Sequence, residues 1–315
     1  YKFFIGKYDE SGNCVESAND WISDDSCIIN KDLISYICSG YVSYFKGGNP
    51  NAYPYKRIIT LEHVFSETHK AEYISALRSD VSKDKIITKK TDKTFNSYES
   101  VLLGDYNNQD DDKVSGMYVT TQQYSNIFLP KSGSEINKTL DDKKRGLELF
   151  KSDLNSMKGK SIQEIVNFVK MYSTKFASII ELSLASDGPV FIFSNWLTFG
   201  VEPLALILQT CGLVSFEKED RGMGKFFIWS SDTKTKDKDG TLIKKARNTF
   251  NSTENSGGKL LKIILGTRSV MEGVSFKNVK QVHITEPWWN ESRIEQILAR
   301  ASRFCSHSNL PIDQQ

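Results

Sequence analysis

Near the end of the chain Gln296, Arg300 and Arg303 are spaced so that one helix face could carry all three. On a helix turning about 100° per residue they fall within about 60° of one another, while Ile294, Ile297, Leu298 and Ala301 gather on the other side. One side packs, and the other presents a glutamine and two guanidinium groups. Two guanidiniums projecting together suit a multiply charged anion such as a triphosphate, because each offers a planar fork of donors. The plain alternative is a solvated basic helix face, which composition alone favours.

Elements that could position such a face are legible upstream. Ile162, Ile165, Val166, Val169, Phe176, Ile179 and Ile180 recur at helical spacing, and Asp187-Gly188-Pro189 then breaks the chain ahead of the apolar run Val190 to Phe193. A helix from Val201 to Cys211 ends at Gly212, where a left-handed cap costs glycine little. Further strands are expected at Phe226 to Trp229, Leu261 to Leu265 and Val282 to Thr285, with helices around Lys244 to Phe250 and from Ser292 to Phe304. Nearly continuous apolar strands separated by helices predict an α/β fold, a parallel sheet covered by helices on both faces. Ligands of such sheets gather at the carboxyl ends of the strands. That directs attention to Ser194-Asn195-Trp196, Ser230-Ser231, Gly266-Thr267-Arg268 and the run from Glu286 to Asn290.

Residues 1–160 read differently, as a mixed, mainly helical connecting region ahead of a lobe at 161–315. Asp32 to Phe45 reads as helical and then extended, Arg57 to Leu61 as a strand, and Ser66 to Arg78 as a helix capped by its serine. The stretch from Lys131 to Ser161 has few large apolar residues and much charge, which predicts a helical linker or mobile loop. Asp110 to Asp112 and the lysine-rich Lys83 to Lys93 read as solvated charge, the latter with a second nucleic-acid contact as the sharper alternative.

The segment from Glu286 to Arg303, Glu-Pro-Trp-Trp-Asn followed by Gln-x-x-x-Arg-x-x-Arg, resembles motif VI of superfamily 2 helicases and ATPases, especially the Swi/Snf-like branch. Ala299 departs from the glycine many of those proteins carry, a change a helix tolerates. The run from Gly266 to Phe276 resembles motif V, Val190 to Trp196 resembles motif IV, and Arg247-Asn248-Thr249-Phe250-Asn251 resembles an element that often precedes motif V. Short signatures such as Gly40 to Gly47 with Tyr53-Pro54, Phe65-Ser66-Glu67, Phe128-Leu129-Pro130 and Arg303 to His307 resemble the ATPases of nucleocytoplasmic large DNA viruses.

The resemblance implies a RecA-like C-terminal lobe of a viral, nucleic-acid-dependent ATPase. It implies that Arg300 and Arg303, with Gln296, reach the γ-phosphate as arginine fingers, stabilising charge that develops in phosphoryl transfer. Glu272, Gly273 and Ser275 would then lie on the nucleotide side, and Ser194, Asn195 and Thr267 on a nucleic-acid backbone, DNA ahead of RNA. ATP and Mg would be held mainly by a first RecA-like lobe. This sequence contains no G-x-x-x-x-G-K-[ST] loop and no strand ending in Asp-Glu, so the chain alone is expected to be inactive. Gly159-Lys160-Ser161 has Leu154 where the first glycine belongs and reads as a helix start, and the Gly222-Met223-Gly224 pair is a loop.

Composition bounds the partners. Basic and acidic side chains number 41 and 39, so no global charge draws the chain to nucleic acid or membrane, and any such surface must be local. No apolar run approaches the roughly 20 residues of a bilayer span. Five scattered cysteines without Cys-x-x-Cys spacing predict reduced thiols in a cytosol-like compartment, which the viral resemblance implies is the host cytoplasm or the virion. Cys305 and His307 lack further zinc ligands nearby, so no metal site is expected there. A second class of function stays open, a transcription-associated module that docks RNA polymerase or a transcription factor.

Overall fold

The computed structural model describes residues 6–8, 14–17, 53–90, 119–131, 139–218, 222–237, 239–270, 274–286, 291–308 and 310. The expectations for Asp32 to Phe45, Thr91 to Lys93, Asp110 to Asp112, Glu272, Gly273 and Pro287 to Asn290 lie outside these residues. Two compact units are present, Tyr1–Pro50 and Asn51–Gln315. Within the first, β1 (Gly6–Tyr8) and β2 (Cys14–Ser17) pair antiparallel, with an irregularity between Lys7 and Tyr8.

The second unit begins with an extended stretch and then α1 (Glu67–Lys90). Arg57 to Leu61 is not a strand: residues 54–66 carry no regular structure, and Ile58 and Ile59 are 77% and 61% exposed. β-branched residues suit a pleated surface, but a strand also needs a neighbour, and none lies beside this run among the described residues. Ser66 does start the helix, its Oγ accepting from the His69 N–H at 3.1 Å. Asp80 of α1 then meets the amino end of α2 (Val119–Asn126), where its Oδ2 accepts from the Thr121 N–H at 2.8 Å and the Thr121 hydroxyl at 3.0 Å. A carboxylate there satisfies amides that have no partner within their own helix.

Of the expected helical linker or mobile loop, residues 140–155 take the helical form, and they pack into the core. They form α3 (Leu140–Asn155), opened by a capping box between Thr139 and Asp142. Few apolar residues suffice because Gly146, Phe150 and Leu154, spaced by one helical turn, are the ones buried. A second capping box, Ser161 with Glu164, opens α4 (Ile162–Val169). Ser173 caps α5 (Thr174–Ala185). After β3 (Val190–Phe193), a π-helical turn at Leu197–Val201 leads into α6 (Glu202–Thr210). Gly212 follows at φ +92, the left-handed conformation expected of it. The remaining elements are β4 (Val214–Ser215), β5 (Lys225–Trp229), α7 (Ser231–Lys236), α8 (Thr241–Phe250), β6 (Ile263–Gly266), β7 (Gln281–Ile284) and α9 (Glu291–Ala301).

Strands β3 to β7 form a five-stranded, all-parallel sheet in the order β4-β5-β6-β3-β7. Alternation along each strand sends side chains to two separate cores. Val190, Ile192, Phe226, Ile263 and Leu265 join a cluster with residues of α1 to α6, including Ala76, Tyr124 and Phe150. Phe191, Phe193, Phe227, Trp229 and Ile264 face the opposite way, against Ala246 and Phe250 of α8 and Ile297 and Ala301 of α9. The chain therefore has the expected α/β architecture of the RecA-like kind, with helices on both faces of a parallel sheet. No helix among the described residues is long and apolar enough to cross a membrane.

Candidate nucleotide and nucleic-acid face

The carboxyl ends of β3, β6 and β7 meet through backbone bonds. Ser194 N–H donates to Gly266 O at 3.0 Å, and Thr285 N–H donates to Phe193 O at 3.0 Å. Directly beyond them, Glu286 is buried and gathers the loop that follows β3. Its Oε1 accepts from the Ser194 hydroxyl at 2.6 Å and from Asn126 Nδ2, while its Oε2 accepts from the Asn195 N–H at 2.8 Å and Asn195 Nδ2 at 3.2 Å. Asn126 comes from the end of α2, and its Oδ1 accepts from Lys175 Nζ at 2.9 Å. Burial pushes the Lys175 ammonium below the ordinary lysine range, and the negative charge of Glu286 pulls it back up.

Ser194 and Asn195, expected to donate to a nucleic-acid phosphate, are thus buried and turned onto a carboxylate. A hydroxyl spent on a carboxylate has no second proton for a phosphate, and the carboxylate repels the anion. Thr267 is also buried, its N–H on Trp229 O at 3.0 Å and its hydroxyl 3.3 Å from Ser269 Oγ.

The arginine side of the candidate site is built from α8, the loop after β6 and the end of α9. Asn251, just past α8, donates through Nδ2 to Ser275 O at 2.9 Å and accepts from the Lys277 N–H at 2.9 Å. That clamp places the Ser275 hydroxyl where it accepts from Arg303 Nη1 at 2.5 Å. Arg300 Nη1 reaches Val274 O at 3.4 Å, and its own carbonyl accepts from the Phe276 N–H at 2.7 Å. The latter bond takes one of the last helical carbonyls, and the helix stops at Ala301. Arg303 therefore stands in the turn beyond the helix, not on its face, and Cys305 follows in a left-handed conformation at φ +56. Gln296 and Arg303 are exposed, and Arg300 is half-buried.

Of the expected site residues, the structure joins Arg303 to Ser275 with Arg300 alongside, and it joins Ser194 to Asn195 through Glu286. Asn126, Lys175 and Arg293 are organising residues that sequence reasoning missed, and Glu286 was named there without its organising role. Only Glu286 carried a signal, its place immediately after a strand. His307 uses both ring nitrogens within the protein, Nε2 with Val279 O at 2.8 Å and Nδ1 with Ser306 Oγ at 3.0 Å. The 390 Å³ cavity beyond β5 is lined by Glu202, Glu217, Asp232 and Asp237, a lining that repels phosphate. The exposed Arg303 guanidinium has the donor geometry and charge that suit a polyphosphate.

Residues 174–305 match the family described as the helicase conserved C-terminal domain. A protein of Acanthamoeba polyphaga mimivirus, whose name describes an ATP-dependent RNA helicase, is 30% identical over 91% of this chain and 43% of its own length. The termination factor NPH-I homolog of an African swine fever virus isolate is 25% identical over 73% of the chain and 38% of its own length. Residues 174–305 thus carry a helicase C-terminal domain, and the chain is similar to helicases and nucleoside triphosphatases of nucleocytoplasmic large DNA viruses. Nucleoside triphosphatase I of Heliothis armigera entomopoxvirus is similar as well, 25% identical over 70% of this chain and 30% of its own length. The chain spans less than half the length of these curated relatives. Its domain match begins at the first residue of α5 and takes in every strand of the parallel sheet.

Proposed function

We propose that this chain is the C-terminal lobe of a DNA-dependent helicase or translocase ATPase, with residues 1–160 as the region connecting it to the first lobe. Arg300 and Arg303 act as fingers on the phosphates of ATP, which the first lobe holds together with Mg; Gln296, Glu272, Gly273 and Ser275 complete the nucleotide side. The observation that carries this reading is the Arg303 to Ser275 bond, which fastens an exposed arginine to the loop after β6 through only one of its amino groups. A guanidinium has five N–H donors, so donors remain to meet an incoming anion. When bound, the nucleotide supplies the phosphoryl group whose developing charge the arginines offset. The strand is proposed to pass the loops after β3 and β6. Because Ser194 and Asn195 donate to Glu286 and Thr267 is buried, these three shape those loops.

The test is ATP turnover with single- and double-stranded DNA and RNA, measured on the protein carrying both lobes. Arg300→Ala is expected to lower turnover by about 10³-fold with folding intact, and the chain alone is expected to be inert. Wild-type turnover by Arg300→Ala would falsify the finger role. It would favour the second reading, a transcription-associated docking module, for which Tyr55 and Val64, each 87% exposed in the extended segment before α1, are the supporting observation.

A further inference from the structure

Glu286, just after β7, is held by residues from two other parts of the chain, the end of α2 and the loop after β3. All four of its partner groups donate, which is the chemistry of a carboxylate acting purely as acceptor. Asn126 lies outside the 174–305 helicase match, yet it ties three places together. Its Nδ2 reaches both Glu286 and Phe199 O, the latter at 3.2 Å, and its Oδ1 takes the Lys175 ammonium. On the other side of the carboxylate, Asn195 Oδ1 accepts from Arg293 Nη2 at 3.3 Å. Arg293 lies on α9 about two turns before Arg300. A hydrogen-bonded path therefore runs from Lys175 through Asn126, Glu286 and Asn195 to Arg293.

The backbone around this path is shaped to admit it. Phe199 and Gly200 belong to the π-helical turn, a form that recurs at functional sites. A Cβ at Gly200 would sit on Ser194 Oγ, so only glycine lets that serine turn onto Glu286.

We infer that Glu286 and Asn126 are positioning residues, which fix α9 and its arginine against the loop after β3 and make ATP turnover depend on the seating of α2. This rests on the finger reading above. Glu286 acts through Asn195 and Arg293 on the orientation of α9, and displacing a reacting constellation by about 1 Å can cost on the order of 10²-fold in rate. Helix α2 thereby becomes an input: whatever shifts it relative to the sheet reaches the arginines by way of one carboxylate.

The experiment uses the protein with both lobes and compares Lys175→Met/Glu286→Gln, Arg293→Gln and Arg300→Ala. Nucleic-acid-stimulated kcat, KM for ATP and thermal melting are read for each. The double variant removes the Glu286 charge together with the Lys175 charge that offsets it. Its amide nitrogen meets donors where the carboxylate accepted, so it is expected to melt below wild type while still folding. Its kcat is expected to fall at least about tenfold with KM for ATP within about twofold, the split of an effect confined to the transition state. Arg293→Gln cuts the same path at the half-buried end, where folding is not at stake, and is expected to show the same split. Should the double variant fail to fold, Arg293→Gln decides. Turnover within about twofold of wild type in a folded variant, beside an inactive Arg300→Ala, overturns the positioning role alone. Wild-type turnover by Arg300→Ala overturns the finger reading and this inference with it.

Discussion

Around Glu286 the polar groups are buried and saturated, whereas around Arg303 they are exposed and held by a single side-chain bond. Both clusters border the same sheet. A buried carboxylate is tolerated only when its lone pairs are met and its charge is balanced, so Ser194, Asn195 and Asn126 donate to it while Lys175, held on Asn126, supplies opposite charge nearby. A group that must meet an incoming anion needs the reverse, with donors in reserve and access to solvent. Burial and saturation thus suit a scaffold, and exposure with partial anchoring suits the working end proposed for Arg303.

That comparison can be broken by substitution, with the largest stability effect expected at the buried cluster. Lys175→Met leaves the Glu286 carboxylate without its counter-charge and is expected to destabilise the fold by about 3 kcal/mol. Chemical denaturation measures this, and a loss below about 1 kcal/mol would show that the four hydrogen bonds suffice by themselves. Gly200→Ala comes next. The added methyl must displace Ser194 Oγ from Glu286, an overpacking expected to cost about 1–3 kcal/mol. An unchanged melting curve would mean that the loop after β3 shifts freely, contrary to a tightly built cluster.

The exposed cluster was the more legible in the sequence, for a physical reason. Gln296, Arg300 and Arg303 carry their signal in local spacing, and the loop from Val274 to Phe276 follows its strand within a few residues. Local spacing misplaced only the helix end, which is set by the distant Phe276 N–H bonding Arg300 O. The Glu286 cluster brings together residues up to 160 positions apart, which no spacing rule detects. The same divide runs through the fold. Strands β3, β5 and β6 announce themselves as apolar runs because both of their faces are largely buried, whereas β7, Gln-Val-His-Ile, is half-buried throughout. The two-residue β4 is too short to leave a pattern, and α3 buries too narrow a stripe to stand out from its charges. Arg57 to Leu61 has strand composition without a partner, a defect that only the tertiary structure exposes.

The smallest stability effect is expected at Arg303, and it sharpens the comparison most. Its side chain is exposed and anchored at Ser275, a residue that Asn251 holds independently through the backbone. Arg303→Ala removes that anchored bond and leaves the clamp standing, so the melting free energy is expected to change by no more than about 0.5 kcal/mol. Turnover of the two-lobed protein is expected to fall by about 10³-fold in the same variant. A large rate loss without a stability loss is what separates a group that meets the nucleotide from one that holds the lobe together. If Arg303→Ala instead melted several kcal/mol lower, Arg303 would belong with Glu286 to the scaffold, and Arg300 alone would remain as the finger.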